Sequence, residues 1–317
     1  MTPEQITTDD SPHIPVLLNE VLSFVPQTAQ IIGDLTAGFG GHSRHFIEKF
    51  PTATCLLNDR DEIAADWCRQ KLDHNSNVKI FNHDFVSFLR KSLDENTLFD
   101  FILADLGVSS LQLDNPLRGF SFKSDVPLDM RMSQEYGHLT AEHIINEYSV
   151  GELTKIFFEY GEENRSRAIV RDIDDTRRKN RIVTNKQLVD IILRNKSFNP
   201  RSKIHPATKI FMALRIETNK ELEQLKLLME LAPKCLAEGG RIAVISFHSL
   251  EDRIVKQSFR KLSQECVCPP HFPVCRCDSV KLFELVTKKA VKPTDSEEKT
   301  NPRSRSARFR VLEKLST

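Results

Sequence analysis

The sequence predicts an α/β fold built on an open, mostly parallel sheet, and three observations carry that reading. Four short apolar runs, 31–34, 53–57, 78–81 and 99–104, each close on an acidic step: Asp34, Asn58-Asp59, Asn82-His83-Asp84 and Asp105. Stretches of helical period separate the runs, which is the βαβ pattern of a parallel sheet. A glycine-rich turn, Gly38-Phe39-Gly40-Gly41, follows the first run, where an open α/β sheet places its ligand.

Residues 1–12 read as a lead-in, and the step at His13-Ile14-Pro15 opens a short amphipathic helix through Leu22 that packs over the first strand. After the first strand, a helix begins near His42. Its exposed first N–H groups, beside glycines that let a backbone approach closely, suit a nucleotide cofactor. The turn is not a clean dinucleotide fingerprint: Ser43 stands where the last glycine of the pattern belongs. Asp59 follows Gly38 by 21 residues, the place of a ribose-binding acid. Helix N-capping is the plain alternative for acids at strand ends. Helical spacing continues over 60–72 and 85–93.

The fourth strand runs into Asp105-Leu106-Gly107-Val108-Ser109-Ser110, and a long loop follows through Arg118-Gly119-Phe120 to Met132. Long loops inside compact domains are commonly functional. From Thr140 to Asn195 the pattern is helical only, with expected helices at 150–160, 164–179 and 184–193. The basic cluster 177–181 reads either as a solvated face or as an RNA contact. One long helix is expected over 210–231, with Arg215, Asn219 and Glu221 directed at the site or at solvent. Glu238-Gly239-Gly240 reads as a helix stop. A fifth strand over 241–247 ends in Phe247-His248-Ser249, and a helix follows to Leu262. Strands at 280–287 and near the C-terminus, around a polar loop at 292–301, suggest an antiparallel pair that finishes the sheet. The arginines of 303–310 suit phosphate.

The chain has 317 residues, 39% hydrophobic and 28% charged, so a packed core is feasible. A net charge of +1 excludes a general polycation and leaves nucleic-acid binding to a local patch. The N-terminal segment has no apolar signal core and no run is long enough to span a membrane, so a cytoplasmic protein is expected. Seven cysteines do not suggest a secreted disulfide framework. Cys266, Cys268, Cys275 and Cys277 form two C-x-C pairs. They read as a structural zinc site or as a cysteine-containing proline loop, and the spacing departs from the usual C-x-x-C.

Taken together, these motifs resemble the MraW (RsmH) family of methyltransferases. The resemblance rests on HIPVLLNEVL, DLTAGFGGHS, NDRDEIA, DFILADLGVSSLQLDNPLRGFSFKSDVPLDMRM, YGEENRSRAIVRDI, HPATKIFMALRIETNKELE, GGRIAVISFHSLEDRIVK and NPRSRSARFRVLEK, which cover nearly the whole chain. Departures are Asn58, where an apolar residue is usual, and Leu111, where a proline is common. The resemblance implies a Rossmann-like S-adenosylmethionine-dependent methyltransferase with an inserted all-helical domain. The parts would be 1–113 and 205–317 for the methyltransferase domain, with 114–204 as the insertion that recognises RNA. It implies methylation of the N4 amine of a cytidine in 16S rRNA within the small ribosomal subunit. A cofactor-binding assembly factor and a methyltransferase of another nucleic acid are the alternatives. A nicotinamide dehydrogenase fits poorly because of Ser43.

Carried over by motif, Gly40, Gly41 and His42 would hold S-adenosyl-L-methionine at the glycine turn. Asp59 would bind its ribose, Phe85 would lie by its adenine, and Asp105 and Gln112 would line the pocket. Asp34 and Gly38 join this set from the reading of the turn itself, Asp34 as partner of the methionine ammonium. An exocyclic amine needs a hydrogen-bond acceptor to become nucleophilic. Asp105 and Ser109 are the candidates, Asp105 alternatively serving the cofactor alone, with His248 a secondary one. No metal is expected in the chemistry, and the oligomeric state is left open.

Overall fold

The computed structural model describes residues 14–108, 115–122, 125–133, 139–196, 205–265, 268 and 280–316. They fall into two compact units, one within Met1–Gly107 and Leu227–Thr317, the other within Val108–Lys226.

The first unit is a seven-stranded sheet in the order β3-β2-β1-β4-β5-β7-β6. Its strands are β1 (Ile31–Asp34), β2 (Thr54–Asn58), β3 (Val78–Phe81), β4 (Phe99–Asp105), β5 (Leu236–Ser246), β6 (Phe283–Leu285) and β7 (Arg308–Lys314). The pairs β1–β2, β2–β3, β1–β4 and β4–β5 are parallel, while β7 runs antiparallel to both β5 and β6. This is a Rossmann-like α/β fold, and its strand order reverses direction between β1 and β4. Ligands of open sheets bind outside the carboxyl ends of the strands at such a point. The strands are continuous apolar runs because both faces are covered. Ile32, Phe46, Leu57, Phe101, Ile245 and Phe309 meet in one core beneath the rim.

The helices of this unit are α1 (Leu18–Phe24), α2 (Gly41–Lys49), α3 (Glu62–Leu72) and α4 (Phe85–Asp94) before the insertion. The second unit carries α5 (Ala141–Glu147), α6 (Val150–Glu159), α7 (Ser166–Arg177), α8 (Asn185–Asn195) and α9 (Thr208–Asn219). Helix α10 (Glu221–Leu231) crosses the boundary, and α11 (Ser249–Leu262) and α12 (Asp295–Thr300) complete the sheet unit. Reciprocal capping boxes start α6 (Ser149 with Glu152) and α8 (Thr184 with Gln187). The helical core is built on Phe157, Ile169, Ile192 and Leu214. The sequence reading places the insertion at 114–204, whereas α9 also supplies Ile210 and Leu214 to this core.

The described parts of the loop after β4, 115–122 and 125–133, bond to helices of the helical unit. Asn185 donates from its backbone N–H to Val126 O at 2.9 Å and from its side chain to Gly119 O at 3.0 Å. Asn219 donates to Met130 O and accepts from Met132 N, both at 2.8 Å.

The structure corrects several expectations. The single helix expected over 210–231 breaks at Lys220, whose φ of +52° is left-handed. Asn219 is buried, and Arg215 makes a bidentate pair with Glu221 at 2.8 Å, so Arg215 and Asn219 are not simply solvent-facing. Gly239-Gly240 does not stop a helix but lies within β5, where its pairing with β4 shifts register. A Cβ on Gly240 would lie 2.6 Å from Phe99 O, so glycine is what lets the two backbones approach. The polar segment 292–301 contains α12, capped by Thr294, and Glu297 accepts from Leu17 N at 2.7 Å at the start of α1.

Candidate active site

The site is built from the C-terminal ends of the strands in the sheet unit. Asp34 ends β1 and is 1% exposed. Its carboxylate accepts from Ser43 Oγ at 2.6 Å and from Thr36 N at 3.2 Å. Burial is the largest influence on Asp34 and pushes its carboxyl up to about 6, against these two hydrogen bonds. The glycine turn follows, with Gly38 and Gly40 at φ +53° and +68°. The two differ in surroundings. A Cβ on Gly40 would sit 3.1 Å from both Leu72 and Trp67, whereas one on Gly38 would meet nothing closer than Thr36 O at 3.9 Å. Gly38 therefore presents an open face, and Gly40 is the packed side of the turn. Gly41 and His42 begin α2, so their backbone N–H groups belong to the first turn, whose N–H groups have no partner within the helix.

Asp59 faces this turn. One of its oxygens accepts from Gly38 N and the other from Asp61 N, each at 2.8 Å. Burial raises Asp59 to about 6 as well, opposed by those two N–H groups and aided by the charges of Asp61 and Asp34. The side chain of His42 is turned inward: its Nε2 lies 2.9 Å from Val16 O. A carbonyl can only accept, so Nε2 carries a proton. Its Nδ1 is 3.8 Å from Asp105 Oδ2. Asp105 ends β4, and its backbone N–H donates to Thr36 Oγ1 at 2.8 Å. Its Oδ1 is buried without a hydrogen-bond partner. Burial first, then the charges of Asp34 and Glu251, hold the Asp105 carboxyl well above the usual carboxylate range.

Phe85 opens α4 directly after Asp84, which caps that helix by accepting from Val86 N and Ser87 N at 3.0 Å. Asp61 caps α3 in the same way. The plain capping explanation thus holds for Asp61 and Asp84, while the carboxylates of Asp34 and Asp59 accept hydrogen bonds around the glycine turn. Hydrogen bonds through Thr36 and the 3.8 Å His42–Asp105 approach link Asp34, Asp105 and His42, and Gly38 with Asp59 forms a second bonded pair at the adjoining turn. The loop carrying Phe85 joins them through Asn82, which donates to Asp59 O at 2.9 Å. Ser109 and Gln112 lie outside the described residues, as do Cys266, Cys275 and Cys277; Cys268 is half-buried.

The family model described as "MraW methylase family" matches residues 10–315. The chain belongs to the MraW methylase family. It is 45% identical over 313 residues to "Ribosomal RNA small subunit methyltransferase H" of Caldicellulosiruptor saccharolyticus, covering 96% of this chain and 99% of that one. The protein of the same name from Halothermothrix orenii is 44% identical over 308 residues, covering 96% and 98%. That from Clostridioides difficile is 39% identical over 313 residues, covering 96% and 99%.

This MraW methylase is therefore an enzyme of the S-adenosylmethionine-dependent class, and the site fits that cofactor. The open face of Gly38 is the room a backbone-hugging ligand needs. Two buried carboxylates with raised pKa and the unpartnered Asp105 oxygen are the complement of a cationic ligand rich in hydrogen-bond donors. The sequence reading missed Ser43, Thr36, Asn58 and Glu251. Ser43 was readable: the residue that spoils the dinucleotide fingerprint is the donor that holds Asp34. Asn58 is 1% exposed, donates to His83 O at 3.0 Å and Leu35 O at 3.4 Å, and accepts from His83 N at 3.1 Å.

The basic clusters are largely spoken for. Arg177 and Arg178 pair with Asp174, and Arg181 pairs with Glu142 and Glu147. Arg310 pairs with Asp252 at 2.7 Å. These arginines stabilise their own units, which narrows the phosphate-binding expectation to others.

Proposed function

We propose that this MraW methylase transfers the methyl group of S-adenosyl-L-methionine to the N4 amine of a cytidine in 16S rRNA of the small ribosomal subunit, in the cytoplasm. Near full-length similarity to relatives named Ribosomal RNA small subunit methyltransferase H carries this reading. The absence of any membrane-crossing helix among the described residues is consistent with it.

In this reading the backbone of Gly38, Gly40, Gly41 and His42 cradles the methionine part, with Asp34 facing its ammonium. Asp59 receives the ribose hydroxyls, Phe85 covers the adenine and Asp105 lines the pocket, with Gln112 carried over by motif as a further ligand. The cofactor supplies an electrophilic methyl on a cationic sulfur. The protein's share is to place the amine in line with that methyl. The amine lone pair is delocalised into the ring, and an acceptor on its N–H returns density to nitrogen. Asp105, with an oxygen left over, suits that task, and Ser109, shortly after it in the sequence, is the second candidate. The proton lost from the amine passes to this acceptor or to water. The helical unit would bind RNA phosphates through exposed Arg167 and Arg171, one turn apart on α7.

Labelled cofactor, purified protein and under-methylated small subunits, naked 16S rRNA or DNA form the test. Label on N4 of a single cytidine in the subunits is expected, and unlabelled subunits overturn the reading.

A further inference from the structure

We infer that His248 reads the target base, donating from Nε2 to the ring N3 of cytosine while Asp105 Oδ1 accepts from the exocyclic N4–H. The inference rests on the proposed cytidine-N4 reaction and names the residue that selects cytosine.

His248 directly follows β5 and is the N-cap of α11. Its Nδ1 accepts from Glu251 N at 3.4 Å. The Glu251 carboxylate reaches back and accepts from Phe247 N at 2.8 Å and His248 N at 3.2 Å. This reciprocal box has a chemical consequence. A neutral imidazole has one acceptor nitrogen and one donor nitrogen. With Nδ1 accepting, the proton sits on Nε2. The His248 side chain is 9% exposed, and Nε2 lies 3.1 Å from Glu251 Oε1. The pair makes an ionic approach but no hydrogen bond, so Nε2 is buried with no hydrogen-bond partner. A buried donor without an acceptor is costly and rare, and native structures keep one where a ligand completes it.

The matching acceptor is one strand away. Asp105 pairs with Ile245 in the β4–β5 register, and Leu106 N donates to Ile245 O at 2.9 Å. The two loops continue side by side: a Cβ on Gly107 would lie 3.4 Å from the Phe247 ring. Asp105 Oδ1, buried and unpartnered, and His248 Nε2 thus end neighbouring strands on one rim. An acceptor and a donor presented from neighbouring strand ends are the complement of cytosine, whose Watson–Crick edge offers N4–H and then N3. Uracil presents the reverse, O4 and then N3–H, and meets both groups with the wrong polarity. Enzymes acting on an extruded base read that edge by such contacts.

Two variants separate the cap from the donor. His248→Asn keeps an N-cap acceptor but is too short to place a donor where Nε2 lies. His248→Gln reaches that place and gives up the cap. Each is assayed on small subunits carrying cytidine or 3-deazacytidine at the target, the latter keeping the amine and replacing N3 by C–H. Wild type is expected to lose about tenfold more kcat/KM on 3-deazacytidine than His248→Asn does, the value of one hydrogen bond. His248→Gln should retain most of the wild-type ratio. Cofactor affinity without RNA should be unchanged in both. An equal ratio in wild type and His248→Asn, with cytidine still methylated, overturns the assignment and leaves the reaction standing. Failure of wild type on cytidine itself overturns both.

Discussion

The backbone N–H of Gly38 donates to Asp59 Oδ2 at 2.8 Å, across 21 residues of chain. The ribose-binding candidate therefore also holds the glycine turn in its left-handed conformation, and Asp61 N occupies its other oxygen. Each carboxylate oxygen has a second lone pair to offer a ribose hydroxyl. Asp59→Asn replaces one acceptor oxygen by a donor, so it loses one of the two N–H bonds and the charge. We expect the cofactor Kd, measured by calorimetry, to rise roughly 10- to 100-fold with the far-ultraviolet circular dichroism unchanged. Unaltered affinity would remove Asp59 from the site.

The two left-handed glycines separate fold from ligand. Gly38→Ala meets open space, so it carries only a left-handed strain of about 1–2 kcal/mol. It puts a methyl on the face proposed for the cofactor. Gly40→Ala adds contacts at 3.1 Å with Leu72 and Trp67 to the same strain. Gly38→Ala should lose most cofactor affinity with a small fall in Tm, and Gly40→Ala should show the larger fall in Tm. Thermal unfolding with and without cofactor reads both, and the reverse order would mean the open face is not the ligand's.

The raised carboxylates give the apoprotein a defined pH dependence. Asp34 and Asp59 sit at about 6 in the folded chain against an ordinary 3.8. The folded state then binds more protons than the unfolded one between these values. Their contribution to stability is full below about 3.8 and is lost as pH rises through about 6. For buried Asp34 the loss is roughly 3 kcal/mol. Asp34→Asn keeps both hydrogen bonds, since the amide can accept from Thr36 N and donate to Ser43 Oγ. The variant without cofactor should be more stable than wild type at pH 7 to 8, with a flatter profile from pH 4 to 6, and should bind the cationic cofactor at least about tenfold more weakly. In wild type, binding near pH 6 should release protons, seen as a buffer-dependent calorimetric enthalpy. A variant no more stable than wild type would show that Asp34 is not strained.

The parallel strands were legible because strands buried on both faces are unbroken apolar runs, and their acidic ends marked the rim before any geometry was known. The break between α9 and α10 was not, because Lys220 adopts a left-handed φ without the glycine that usually signals one. The start of β5 was hidden because Gly239-Gly240 serves a close backbone approach that looks like a helix stop. Helix α12 has no buried residue and so no apolar periodicity to find. At the site, Asp34, Gly38 and Asp59 were visible from spacing. Ser43 showed only as the residue that breaks the glycine pattern, and the role of Asn58 was not visible, since it acts through one hydrogen-bonded contact set that leaves no pattern in the chain.

Asn58 is a buried polar residue at the end of β2, and its surroundings say what it does. The amide ties Leu35, after β1, to both backbone groups of His83, after β3. It thereby fixes the step that leads into the Asp84 cap and Phe85. Asn58→Leu suits a buried strand but leaves the His83 N–H and C=O unsatisfied, a loss of about 2 kcal/mol or more. The displaced loop carries the proposed adenine wall, whereas Asp105 stands two strands away across β1. We expect a lower Tm and a cofactor KM raised about tenfold, equivalent to one lost contact, with kcat at saturating cofactor within about twofold. Asn58→Asp should be worse, because its second oxygen would face the Leu35 and His83 carbonyls. A fall in kcat with an unchanged cofactor KM would place the effect of Asn58 on the chemistry and refute a role confined to the loop after β3.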